Sequence, residues 1–69
     1  MSRLTPRQLD VLQLVATGLS NAGIAERLAL SERSIENHLN GVYAALALPQ
    51  SHNSRVSAVL RFIEETSHG

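Results

Sequence analysis

Few side chains in this 69-residue chain can do covalent chemistry, and their spacing assembles no catalytic site. There is no cysteine, so there is no thiolate nucleophile, no disulfide and no Cys-based metal site. Three histidines, His38, His52 and His68, lie 14 and 16 residues apart, without the tight pairing that a metal site uses. His38 reads as a packed or hydrogen-bonded structural histidine rather than a general base. No nucleophile–base pair and no glycine-rich phosphate loop can be read. The sequence therefore predicts no catalytic residue, no metal and no cofactor. Its remaining chemistry is hydrogen bonding. Arg33, Glu36, Asn37, Asn40 and Ala44 share one face at helical spacing. A carboxamide sets a donor beside an acceptor, a carboxylate only accepts, and a guanidinium only donates.

Such a face needs a rigid element beneath it, and the chain reads as four helices without a strand. The length allows one domain, residues 1–69, with a core over about residues 4–64. The first helix opens at Thr5-Pro6-Arg7-Gln8. Thr5 can cap, Pro6 suits the first helical position, and Gln8 stands at capping-box spacing. Leu9, Leu12 and Ala16, with Val11 and Val15 beside them, predict its apolar stripe. Thr17-Gly18 ends it. Ser20 caps a short second helix over about 21–28, whose buried side is Ile24, Ala25 and Leu28. Gly23 weakens this helix by about 1 kcal/mol relative to Ala. The connection Ala29-Leu30 is very short, and Ser31 caps the third helix over about 32–46. There Ile35, Leu39, Val42 and Leu46 form the apolar side, opposite the polar face. The turn formers Pro49 to Asn53 predict a loop, followed by a fourth helix over about 54–64.

Charge bears on what such a domain could hold. Six arginines face six acids, there is no lysine, and the net charge is zero. Residues 1–63 hold all six arginines and four of the acids, a surplus of two. That is weak electrostatics for a polyanion binder. No apolar run is long enough to span a membrane, and no signal peptide is visible after Met1. The absence of cysteine fits a cytoplasmic setting. A larger protein upstream is expected, because modules of this size rarely act alone.

Two helices joined by a very short turn, the second capped by serine, describe a helix-turn-helix. The major groove of DNA admits one α-helix, and in this motif the second helix presents its exposed face to the base edges. Small helical bundles of other kinds also have short turns, so the pattern leaves both readings open.

More specific residues narrow the choice. They are Leu4-Thr5-Pro6-Arg7, Val11-Leu12, Ala16-x-Gly18-Leu19-Ser20-Asn21, Ile24-Ala25-x-x-Leu28, Leu30-Ser31 and Ser34-Ile35-x-x-His38. In that order they resemble the LuxR-type helix-turn-helix, in its NarL/FixJ response-regulator branch. The likeness runs from Leu4 to about Phe62. The stretch Leu48-Pro49-Gln50-Ser51 to Arg55-Val56-x-Ala58-Val59-Leu60 resembles actinobacterial members with a lengthened loop before the last helix. The resemblance implies a four-helix output domain of a bacterial transcription regulator whose third helix enters the major groove. It implies a fourth helix that forms a homodimer, and an upstream receiver or sensor domain. It puts Ser20, Asn21, Arg33, Ser34, Glu36, Asn37, Asn40 and Ala44 at the double-stranded DNA.

The chain departs from the family pattern at three places. Ser34-Ile35-Glu36-Asn37-His38 stands where Thr-Val-Lys-x-His is common; related actinobacterial members often have Glu then Lys here, and against those Asn37 replaces a usual cation. Ala45 stands at a frequent lysine, and Gly23 at a usual glutamate. Recognition is then expected to rest on Asn37 and Asn40, with Arg33 as a phosphate clamp. Ser20, Asn21 and Ser34 are expected to contact phosphate.

The fourth helix carries Val56, Ala58, Val59, Leu60, Phe62 and Ile63, more apolar residues than one stripe holds. Val56, Leu60 and Ile63 are expected to form a dimerisation surface. Two rivals remain. A sigma-factor-type promoter-recognition domain also shows Leu-Thr-Pro-Arg and Ile-Ala-x-x-Leu elements. A helical dimerisation or protein-interaction module with little DNA affinity would suit the neutral charge.

Overall fold

Three helices carry their own start signals, and the computed structural model, which describes residues 3–49 and 52–66, forms a helix at each. The elements are α1 (Pro6–Ala16), α2 (Asn21–Leu28), α3 (Glu32–Ala45) and α4 (His52–Thr66), and the described residues contain no strand. At α1 the capping box is complete. The Gln8 amide donates to Thr5 Oγ1 at 3.1 Å, and the Thr5 amide donates to Gln8 Oε1 at 3.0 Å. Ser20 Oγ accepts from the Gly23 amide at 3.2 Å, and Ser31 Oγ from the Ser34 amide at 3.1 Å.

The first three helices also end alike. Gly18, Ala29 and Ala47 are left-handed, with φ of 94°, 58° and 57°. Beyond each, an amide reaches back to a carbonyl of the last turn: Leu19 to Leu14 at 3.3 Å, Leu30 to Ala25 at 2.8 Å, and Leu48 to Tyr43 at 2.8 Å. This is the Schellman closure, which satisfies carbonyls the helix leaves free. Only the first is built on glycine; Ala29 and Ala47 carry a Cβ into a region that disfavours it.

The core is Val11, Leu12, Val15, Ile24, Ala25, Ile35, Leu39, Val42, Tyr43 and Ala58. Helix α1 lies against both α3 and α4, and α2 against α3. That central position explains a departure from the expected α1 stripe. Val11 and Val15 are buried with Leu12, whereas Leu9 and Ala16 are half-buried, because two neighbours cover a wider arc shifted toward the valines. On α3, Tyr43 joins the buried set, and Leu46, as the C-terminal cap, is only half-buried. In α2, Leu28 is half-buried.

Helix α4 is longer than the 54–64 span expected, by two residues at each end. Ser54 is buried and donates its hydroxyl to the Pro49 carbonyl instead of capping the helix. Asn53 is therefore helical rather than part of the loop. At the far end Thr66 Oγ1 donates to the carbonyls of Phe62 and Ile63 at 2.9 and 3.2 Å, closing a last turn that includes the polar Glu64 and Glu65. Among the described residues no helix is long and apolar enough to cross a membrane.

Candidate nucleic-acid interface

The short α2–α3 turn brings the polar residues to one place. With Ala29 left-handed and Ser31 already capping α3, only three residues, Ala29, Leu30 and Ser31, separate the two helices. Their relative direction is held below by Ile24, Ala25, Ile35 and Leu39, all buried. α3 then runs 14 residues, about 21 Å at 1.5 Å per residue.

Its outer face is the one expected. Arg33, Glu36, Asn37, Asn40 and Ala44 are all exposed, while Ile35, Leu39, Val42 and Tyr43 are buried behind them. Ser34 differs. It is half-buried, its amide is taken by Ser31 Oγ, and the Ser31 hydroxyl donates to its oxygen at 3.0 Å. Ser34 therefore serves the start of α3. Ser20 is exposed and occupied as the cap of α2. Asn21 is half-buried, and its Oδ1 accepts from Arg55 Nη1 at 2.8 Å. His38 is half-buried on α3. The His52 side chain and His68 lie outside the described residues.

Arg55 is the residue that sequence reasoning missed. Its second nitrogen donates to the Leu19 carbonyl at 3.0 Å, so one guanidinium ties α4 to the loop before α2. The fork geometry of arginine suits two acceptors at once. The partners lie 34 and 36 residues away in sequence, so no local pattern announces them. Arg55 also acts on the core. Burial pushes the Tyr43 phenol above its usual value, and the Arg55 charge partly opposes that shift.

A second contact braces α1 on α3. A Cβ at Gly41 would come within 2.3 Å of Gln8 Nε2, the side chain that completes the α1 capping box. The Gln8 carboxamide thus lies over Gly41, and a methyl there would have to displace it. Helix α4 shows Val56, Leu60 and Ile63 to solvent, at 53, 54 and 49% exposure, while Ala58 is buried. Those three were the apolar residues expected to lie outside the core. Among the described residues no cluster of three or more metal-ligating side chains occurs.

Comparisons with known proteins agree with this architecture. The family model described as bacterial regulatory proteins, luxR family, matches residues 2–62. A Mycobacterium tuberculosis protein named as an HTH-type transcriptional regulator is 52% identical over 56 residues, covering 81% of this chain and 6% of that protein. The nitrate/nitrite response regulator protein NarP of Escherichia coli is 39% identical over 64 residues, covering 93% of this chain and 28% of NarP. A Haemophilus influenzae homologue of the nitrate/nitrite response regulator is 37% identical over 65 residues, with 94% and 29% covered. The chain thus spans less than a third of the length of these relatives. No solved structure matches it significantly. On the match over 2–62 and the four-helix architecture together, the chain belongs to the luxR family of bacterial regulatory proteins.

Proposed function

We propose that this chain is the sequence-specific, double-stranded-DNA-binding output domain of a cytoplasmic bacterial transcription regulator. α3 lies in the major groove, and the start of α2, with Ser20 and Asn21, lies against the phosphate backbone. Arg33 supplies affinity by clamping a phosphate. Ser34 acts indirectly, by fixing the first turn of α3. A receiver or sensor domain upstream controls access to this surface.

The observation that carries the reading is the uninterrupted exposed face of α3, from Arg33 through Asn40 to Ala44, placed straight after the short turn. The luxR-family match favours it over a sigma-factor-type domain. Two copies pair through Val56, Leu60 and Ile63, which leave a second apolar stripe about half exposed on α4. Pairing also offsets the neutral net charge, because linked half-sites multiply a weak single contact. A two-fold pair fits a palindrome with half-sites about one helical turn apart.

The neutral charge and the apolar α4 stripe favour one rival, a protein-interaction module without DNA affinity. Titrating the isotope-labelled chain with duplex DNA and following backbone amide shifts separates the two. The DNA-reading account expects the largest changes over Ser20–Ala22 and Arg33–Ala44. Shifts confined to α4, or none at low salt, would favour the interaction module.

A further inference from the structure

The outer face of α3 is an unusual reading head in its chemistry: it is rich in carboxamide and carboxylate and poor in cations. At about 100° per residue, Arg33 and Asn40 lie within about 20° of each other, along the middle of the exposed arc. Glu36 flanks Asn40 by about 40° on one side, and Asn37 by about 60° on the other. Ala44 falls on the Asn37 side. The middle of the face is therefore held by Asn40 and Arg33, with the cation at the first turn, and Asn37 and Glu36 flank it on either side.

Base edges differ in what they answer. Adenine shows an amino donor beside the N7 acceptor, the complement of a carboxamide. Guanine shows two acceptors, the complement of a guanidinium. Cytosine shows an amino donor, which a carboxylate accepts, and thymine a methyl group. Within the described residues, no hydrogen bond or ion pair takes up the side chains of Glu36, Asn37 or Asn40. Their bonding capacity is available to a ligand. Asn37 and Asn40 are about 4.5 Å apart along the axis, little more than one base-pair step.

We propose that this domain selects half-sites with adenine at two positions one or two base pairs apart, read by Asn37 and Asn40, with cytosine rather than guanine beside Asn40 on the Glu36 side. This rests on the placement of α3 in the major groove. Glu36 adds discrimination by exclusion, since a carboxylate facing the two guanine acceptors leaves both sides unpaired. Ala44, on the Asn37 side, suits a thymine methyl and needs no hydrogen bond.

Selection from a random duplex pool at low salt, repeated with Asn37→Ala and Asn40→Ala, tests this. Both side chains are exposed, so the variants keep the fold, which circular dichroism checks. The expected result is two adenine columns, each flattened by one variant only. Replacing either adenine with 7-deazaadenine, which lacks N7, should then weaken the wild type at that position. Losing the bidentate pair corresponds to about 5- to 150-fold, and the matching Asn→Ala variant should be insensitive. A specific site with guanine at those columns, unchanged in both variants, overturns the proposal and leaves DNA reading by α3 standing. Failure to enrich any sequence overturns both together.

Discussion

Ala29 closes the turn between α2 and α3 in the left-handed region, at φ 58° and ψ 42°. Ala29→Gly should make the domain more stable. A Cβ in that conformation costs about 1–2 kcal/mol. Glycine gives back about 0.5–1 kcal/mol through the greater freedom of the unfolded chain. The balance is a gain of about 0.5–1 kcal/mol. Ala29 is exposed, so losing its methyl forfeits no core contact. The closing bonds, Leu30 to Ala25 and Ala29 to Glu26, are made by backbone atoms and survive. In a domain of this size the gain amounts to a rise in Tm of roughly 2–8 °C. Ala47, also exposed and left-handed at φ 57°, should behave alike, and the pair should add. Thermal and urea unfolding followed by circular dichroism measure this. An unchanged or lowered midpoint in both variants, with native helix content, would refute the conformational argument.

Three further outcomes are expected. Leu60→Glu places a charge on a half-exposed site and should leave stability within about 0.5 kcal/mol; sedimentation should show less dimer, and a palindrome should be bound far less tightly while a single half-site is unaffected. Equal losses on both DNAs would mean that the stripe does not pair copies. Arg55→Ala removes two hydrogen bonds from a charged donor and, being half-exposed, should cost about 1–2 kcal/mol in the denaturant midpoint; Arg55→Lys should not restore it, because an ammonium lacks the fork that spans Asn21 and the Leu19 carbonyl. Gly41→Ala should gain less than the roughly 1 kcal/mol that a helix interior returns, because the methyl displaces Gln8; in a Gln8→Ala background that gain should appear, and a double-mutant cycle without coupling would argue against the close approach.

The helix starts were legible because each is written within four residues: Thr5 with Gln8, Ser20 with Gly23, Ser31 with Ser34. The exposed face of α3 was legible because helical period alone fixes which residues oppose Ile35, Leu39 and Val42. The exposure of Val56, Leu60 and Ile63 was legible for the same reason: a helix cannot bury every side. What stayed hidden depends on long-range packing. Whether α1 buries Leu9 or Val11 is decided by two helices covering it from different sides. The N-terminal extension of α4 follows from Ser54 turning inward to Pro49, which a serine in a turn-rich stretch does not announce. Arg55 drew no role from the sequence because its partners Leu19 and Asn21 are far away along the chain. The left-handed Ala29 and Ala47 were not anticipated, since the usual marker of that conformation is glycine, as at Gly18.

The central claim is that α3 reads DNA although the chain carries no net charge. The most direct measurement is duplex affinity against salt concentration, for the wild type and Arg33→Ala, with a selected half-site and a scrambled duplex. The account predicts a linear fall of log K with log salt and a shallow slope, since few phosphates are neutralised. Arg33→Ala should lower that slope by about 1 and weaken both duplexes alike, leaving their ratio unchanged. A folded chain that binds neither duplex at low salt, or binds both with the same slope before and after Arg33→Ala, would contradict it.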